Sequence, residues 1–281
     1  MRVSIIIRSF NDRENLKKLL EKLRIQTYTD FELVFLDNES TDGTRELIQE
    51  SGFEVNNIPK GEYIPGRVLN KGVQLAKGEV IVFNNSDCIP CDNQWLKRLI
   101  KPFLNENLHL CCFANQVPRP DADLLVRKDH ERAFGKGMGA KKWPNFFSLA
   151  SSAFRREVLI ANPFDECLKY SEDVELFKRL KRKGLKKYYI SSSKVEHSHN
   201  YTNSQLIRRF YNEGVADCII FKGEKSLFRD LLMPLCAELI RDFIYLKNQG
   251  AFSKILGGCL YRTMQRVSYY VGFNFGEEKW K

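Results

Sequence analysis

Short apolar runs that end in polar or acidic residues, each followed by a stretch of helical spacing, constrain this chain more than any other feature. Val3-Ser4-Ile5-Ile6-Ile7 is one. Phe31-Glu32-Leu33-Val34-Phe35-Leu36 ends at Asp37, and Glu79-Val80-Ile81-Val82-Phe83 runs into Asn84-Asn85-Ser86-Asp87. Such runs, rich in β-branched and aromatic residues, suit strands buried on both faces. Asn11 with Glu14 reads as a helix cap ahead of Leu16, Leu19, Leu20 and Leu23, which keep helical spacing. Thr44 to Gln49 reads as a short helix and Glu54 to Ile58 as a further strand. Val68 to Lys77 reads as a helix stopped by Gly78, and 94–104 as a helix with Leu96, Leu99, Ile100, Phe103 and Leu104 on one face. Strands alternating with helices build a parallel sheet covered on both sides. Ligands bind beyond the carboxyl ends of such strands, where Asp37 and Asp87 lie.

The second half is less regular. Phe146 to Phe154 reads as a strand, Glu172 to Lys183 as a helix ended by Gly184, and Lys187 to Ser192 as a strand. Beyond residue 200 the pattern is helical, with Leu227, Phe228, Leu231, Leu232, Leu235, Leu239, Ile240 and Phe243 in register. The expected class is therefore α/β: a mixed, mostly parallel sheet flanked by helices, with a helical C-terminal extension. A hydrophobic fraction of 43% in 281 residues is enough for a sizeable core. No apolar run is long enough for a membrane-spanning helix. The start, Met1-Arg2-Val3-Ser4, enters a strand rather than a signal peptide, so a cytoplasmic protein is expected.

The eight cysteines are irregularly spaced. Cys88-Ile89-Pro90-Cys91 has redox spacing, but a zinc ribbon needs a second such pair. Buried, reduced thiols are the expectation. A formal charge of +10 points to anionic partners, whether phosphorylated ligands, an acidic membrane surface or nucleic acid. Acids interrupt the basic residues throughout and no nucleic-acid-binding motif stands out, so no nucleic-acid partner is expected.

Several segments could carry chemistry. Asn84-Asn85-Ser86-Asp87 is either a turn or an oxygen-rich cation site. Glu172-Asp173, behind Ser171, either complements a helix dipole or supplies a general base. His197-Ser198-His199 holds two of the four histidines and is either a polar loop or a pair of metal ligands. Gly135-Lys136-Gly137-Met138-Gly139 lacks a preceding strand and reads as a flexible loop.

Taken together, these segments resemble family 2 glycosyltransferases of the GT-A (Rossmann-like) fold over about residues 1 to 215. Ser4 to Asn11 resembles the family's first strand and nucleotide loop. Asp37-Asn38-Glu39-Ser40-Thr41-Asp42-Gly43-Thr44 is similar to its D-x-x-S-x-D-G-T signature, and Gly66 to Gly72 with Ala76 to Glu79 to the helix before the metal-binding strand. Asn85-Ser86-Asp87 occupies the D-x-D position with Asn85 in place of its first acid, and Glu172-Asp173 occupies the E-D position. Val195 to Thr202, with Arg208-Arg209-Phe210-Tyr211 and Gly214, resembles bacterial polysaccharide rhamnosyltransferases.

The resemblance implies a catalytic domain over 1–200, with a nucleotide-sugar half (1–115) and an acceptor half (116–200), and a helical extension over 201–281. It implies Asp173 as base with Glu172 beside it. Arg8, Asn11, Asp37, Asn38, Ser40, Arg67, Asn70, Asn85 and Ser86 would line the nucleotide-sugar pocket. Asp87 with His197, or His199 instead, would hold a divalent metal, Mn or Mg. The implied reaction is inverting transfer from an NDP-sugar, dTDP-rhamnose being favoured, to a growing lipid-linked glycan of a bacterial surface polysaccharide. A basic nucleic-acid-binding protein and a catalytically degenerate transferase-like scaffold are the alternatives. The C-terminal apolar stripe, with basic residues around it, is expected either to dock on the inner face of the plasma membrane or to pack within the fold or a homodimer.

Overall fold

A computed structural model describes residues 1–104, 110–135, 138–223 and 225–276. Its contacts divide the chain into two compact units. The first takes in 1–120, 130–167 and 172–198; the second takes in 121–129, 168–171 and 199–281.

The first unit is a sheet between helices. In chain order come β1 (Val3–Ser9), α1 (Arg13–Arg24), β2 (Phe31–Asp37), α2 (Thr44–Glu50), β3 (Val55–Asn57), α3 (Pro65–Leu75), β4 (Val80–Asn84), β5 (Ile89–Pro90), α4 (Trp95–Ile100) and β6 (Leu110–Val117). After α5 (Leu124–His130), which but for its last residue belongs to the second unit, follow α6 (Met138–Lys142), β7 (Ser151–Arg155), α7 (Arg156–Ala161), α8 (Glu172–Arg182) and β8 (Lys186–Glu196). The sheet order is β3-β2-β1-β4-β7-β6-β8-β5. β3, β2, β1 and β4 run parallel, β7 runs against both its neighbours, and β8 is parallel to β6. Fold class and sheet type are as the sequence implies.

The continuous apolar strands are explained by two cores. Val3, Ile5 and Ile7 of β1 and Val80 and Val82 of β4 pack with the leucines of α1 and with Trp95, Leu96 and Leu99 of α4. The alternate residues Ile6, Ile81 and Phe83 pack on the other face with Val68, Leu69 and Val73 of α3 and with Leu176, Phe177 and Leu180 of α8. Each strand alternates between the cores, and both sides being apolar hides the period of two.

Several expectations are corrected. The cap of α1 is Asp12, not Asn11. Asn11 instead takes φ +48, a left-handed conformation that Asn tolerates. The helix over 94–104 is α only to Ile100 and then tightens into a 3-10 turn, Lys101–Leu104, that contains Pro102 and leaves Leu104 exposed. Helix α3 ends at Leu75, so Gly78 is no cap. A Cβ there would lie 2.5 Å from the Ser4 nitrogen, so Gly78 permits a close backbone approach to β1. Gly184, at φ +87 just beyond α8, does end its helix. The strand expected over 146–154 begins only at Ser151. Phe147 is there to stack on Phe177, with centroids 5.4 Å apart, and the Leu149 N–H turns to Asp173 rather than into a ladder. Of the expected loop Gly135–Gly139, residues 136 and 137 lie outside the described residues, and Met138–Lys142 is helical. Cys91, Cys167 and Cys236 are exposed rather than buried, and no described cysteines are bridged.

The second unit is helical, with α9 (Asn203–Phe221), α10 (Met233–Asn248) and α11 (Ile255–Phe275). Thr202 and Gln205 close a capping box on α9. No described helix is long and apolar enough to cross a membrane.

Candidate active site

The parallel half of the sheet brings the ends of β1, β2 and β4 to one edge. Ser9 pairs with Asp37 in the ladder, and the Ser9 hydroxyl donates to Asp37 Oδ2 at 2.8 Å. Asp37 is fully buried. Its carboxylate also accepts from the Ser40 backbone N–H (2.9 Å) and hydroxyl (2.6 Å). Asn11 ties the same loops together: its N–H donates to Ser40 Oγ and its Oδ1 accepts from the Thr41 N–H, both at 2.8 Å. The Asn38 N–H donates to the Ser9 carbonyl at 3.0 Å, while its buried Oδ1 has no donor among the described residues. These bonds explain the D-x-x-S spacing. An acid at a strand end folds the next turn onto itself through the backbone N–H three residues on, and Ser at that position adds a hydroxyl bond to the same carboxylate.

Asn85, Ser86 and Asp87 follow β4. Ser86 is buried and donates to Asp12 Oδ2 at 2.6 Å. Asp87 Oδ2 lies 3.6 Å from His197 Nε2. Strand β8 delivers His197, whose N–H donates to the Val117 carbonyl at 3.0 Å and whose carbonyl accepts from His130 Nε2 at 2.8 Å. His197 Nδ1 lies 2.8 Å from Gln116 Oε1. An amide oxygen only accepts, so Nδ1 carries a proton, and in the neutral imidazole this leaves Nε2, the side towards Asp87, as the nitrogen with a lone pair. Asp87, Cys88 and His197 form a group whose ligand atoms lie within 4.8 Å of one another. Burial, and then Asp87, push the Cys88 thiol well above its ordinary value, which makes it a neutral neighbour rather than a thiolate. An oxygen and an imidazole nitrogen, the imidazole oriented by a further hydrogen bond, are a donor pair that could hold a divalent cation such as Mn or Mg. His199 falls in the second unit, its ring stacked on Tyr201 at 5.3 Å.

Arg8 links the donor strands to α8. It is ion-paired to Glu172 at 3.1 Å and donates to Asn85 Oδ1 at 3.2 Å. Burial lowers its pKa, but Tyr63 and Glu172 outweigh this and hold it above the usual value. Asp173, next along, accepts from the Leu149 N–H at 3.2 Å and from its neighbour Val174 at 2.9 Å. Burial first, and Glu172 second, push its carboxyl up to about 7. The two adjacent acids thereby differ: Glu172 is ion-paired to arginine, and Asp173 carries the raised carboxyl.

Asn70 is buried. Its amide nitrogen donates to the Phe164 carbonyl (3.0 Å) and Glu166 (2.9 Å), while its oxygen accepts from the Phe164 N–H (2.9 Å). Arg67 lies 3.8 Å from Glu166 and is half exposed. Three participants escape the sequence reading. Asp12 accepts from Ser86 and from Asn15 at 2.6 Å, and burial raises its carboxyl. Arg119 donates to Asn15, and Gln116 orients His197. Neither thiol of the cysteine pair has the lowered pKa that a reactive C-x-x-C needs: partial desolvation, then Glu196 and Asp92, push the exposed Cys91 up to about 11.

Residues 4–161 match the model of glycosyl transferase family 2, and the chain belongs to that family. It is similar to the O-antigen chain rhamnosyltransferase WbaN of Salmonella anatum, at 29% identity over 203 residues. That match covers 68% of this chain and 64% of WbaN, just under two thirds of its length. Similarity to the O-antigen chain rhamnosyltransferase RfbN of Salmonella typhimurium is 26% over 231 residues, 76% of this chain and 72% of that one. Among solved structures, the mannosyltransferase PcManGT from Pyrobaculum calidifontis, in complex with GDP-Man and Mn2+, superposes with a TM-score of 0.68. It is 17% identical, with 99% of this chain and 87% of that chain covered. Glucosyl-3-phosphoglycerate synthase from Mycobacterium tuberculosis, with UDP, gives 0.57 at 18% identity and 80% and 82% coverage. At such identities the likeness shows the fold, which is GT-A.

Proposed function

We propose that this chain is an inverting transferase that moves a rhamnosyl residue from dTDP-rhamnose to a growing, lipid-linked surface polysaccharide of a bacterium. The observation that carries the mechanism is the Arg8–Glu172–Asp173 arrangement, a near-neutral carboxyl fixed beside an arginine that also grips Asn85. The donor sugar is supported by the similarity to two rhamnosyltransferases. Asp173 accepts the proton of the acceptor hydroxyl as that oxygen attacks the anomeric carbon. Attack on the face opposite the departing diphosphate inverts the configuration. Glu172, held by Arg8, stands beside Asp173, and the Leu149 and Val174 N–H groups fix the Asp173 carboxyl. Asp87 and His197 would hold Mn or Mg, which supplies positive charge to the leaving diphosphate. Asn11, Asn38 and Ser40 line the base side of the pocket. Asp37 and Asn70 shape it from behind, and Arg67 faces the phosphates. The acceptor's lipid places the enzyme at the cytoplasmic leaflet.

A thermal-shift screen of dTDP-rhamnose, UDP-glucose and GDP-mannose, with and without manganese, tests the donor. The expected outcome is the largest rise with dTDP-rhamnose plus manganese. Ligand at about a hundred times its Kd stabilises by roughly 2.7 kcal/mol. A larger rise with another donor would reject the rhamnosyl assignment, and no rise with any donor would favour the degenerate scaffold.

A further inference from the structure

Part of the interior of the helical unit is charged. The buried residues of α10 are Glu238, Asp242 and Leu246, with Glu238 only 2% and Asp242 only 3% exposed. Arg262 of α11 is buried against them: its Nε donates to Asp242 at 2.7 Å and its Nη1 to Asp129 at 3.0 Å. Lys128 pairs with the same Asp242 and lies 3.4 Å from Glu238. The charges of this unit thus satisfy one another in its interior.

Its outer face is apolar. Along α10 the exposed positions Met233, Cys236, Ile240 and Phe243 follow at three- and four-residue steps, one continuous helix face. On α11 Leu256 is 83% exposed, and Leu260, Val267 and Val271 continue its line. Scattered exposed hydrophobics are ordinary, but large apolar residues held at successive positions of one helix face, on each of two helices, are more than a soluble surface usually carries.

Charge identifies what covers it. From 203 to 276, every exposed charged side chain among the described residues is basic. Arg229 stands one turn before Met233, and Lys247 one turn after Phe243, so cations bound the α10 stripe at both ends. Lys254 stands beside the exposed Phe252 at the turn into α11. A second copy pairing through this same face would bring these cations against one another, with no exposed acid among the described residues of 203–276 to receive them. A lipid leaflet with anionic headgroups answers both the apolar stripe and its basic borders.

We propose that the outer face of the α10–α11 hairpin is an interfacial docking surface for an anionic lipid leaflet, with Ile240, Phe243, Leu256 and Leu260 inserted and Lys247 and Lys254 on the headgroup phosphates. The proposal rests on the peripheral placement given above only for the choice of leaflet. It is tested without turnover, so its failure leaves the transferase reading standing.

The test is flotation of the full chain with vesicles of phosphatidylcholine alone or mixed with phosphatidylglycerol, at low and high salt. The chain should float with the mixed vesicles at low salt, and much less at high salt or without phosphatidylglycerol. Ile240→Glu with Leu256→Glu should reduce the bound fraction roughly tenfold or more. Lys247→Gln with Lys254→Gln should weaken partitioning by about fivefold for each lysine. Both positions of the apolar pair are already in water, so circular dichroism and the melting temperature should stay close to those of the parent. No flotation at low salt overturns the proposal. So does a concentration-dependent dimer, seen by sedimentation, that the glutamate pair breaks.

Discussion

Replacing Asp173 by Asn removes a charge while keeping the shape, and the structure allows the consequence to be worked through. The carboxyl is raised from 3.8 to about 7 in the fold. A folded-state value above the unfolded one means that the native protein prefers the protonated form. Below the unfolded value there is no penalty. It grows as pH rises between the two values and is complete above the folded one. The growth is about 1.4 kcal/mol per pH unit. Between pH 5 and pH 8 the wild type should therefore lose roughly 2 to 3 kcal/mol that Asp173→Asn does not lose. Asn cannot accept from both Leu149 and Val174, which costs the variant about 1 kcal/mol. That cost does not depend on pH and cancels in the comparison. For a chain of this size, the melting advantage of the variant should widen by roughly 4 to 10 °C from pH 5 to pH 8. Transfer should move oppositely: wild-type turnover rises as pH passes through about 7, and the variant falls by about a hundredfold or more with donor binding retained. Calorimetry at the two pH values and steady-state kinetics provide both readouts. A melting difference that does not change with pH would refute the electrostatic argument, and near-normal turnover would remove Asp173 from the chemistry.

Chelation by EDTA should abolish transfer, and Asp87→Ala should weaken nucleotide binding chiefly when manganese is present; full activity in excess EDTA would overturn the metal assignment. Gln116→Leu removes the group that fixes the His197 tautomer. Manganese affinity, measured by calorimetric titration with bound nucleotide, should fall about 10- to 100-fold while the fold persists. Arg262→Met takes the buried arginine from Asp242 and from the part-exposed Asp129, leaving Lys128 as the cation that both acids share. It should cost about 3 to 5 kcal/mol of stability in denaturant unfolding, and a change within experimental scatter would mean that the buried network contributes little.

The parallel half of the fold was legible because strands buried on both faces must be apolar without interruption, as Val3–Ile7 and Val80–Phe83 are. Asp37, Asp87 and the Glu172–Asp173 pair were legible because each stands at the end of an element, where loops can carry chemistry. Gln116 and Arg119 were not. Gln116 reaches His197 only through the pairing of β6 with β8, a contact between residues 81 positions apart that no local pattern encodes. Apolar residues 146–150 suggested strand because burial alone does not fix backbone conformation; here they fill the space over Phe113 and Phe177. The helical stripe after residue 227 was visible as a stripe. Its outward direction was not, since spacing says which residues share a face but not where that face points.

The central claim is that this chain transfers a sugar from a nucleotide donor with inversion, using Asp173 as base. The most direct measurement is the anomeric configuration of the product, read by proton NMR after incubation with dTDP-rhamnose, manganese and a lipid-linked glycan acceptor. A single product whose anomeric configuration is opposite to that of the donor, formed by the wild type and not by Asp173→Asn, is the predicted result. A product of retained configuration, or equal product from the variant, would contradict it.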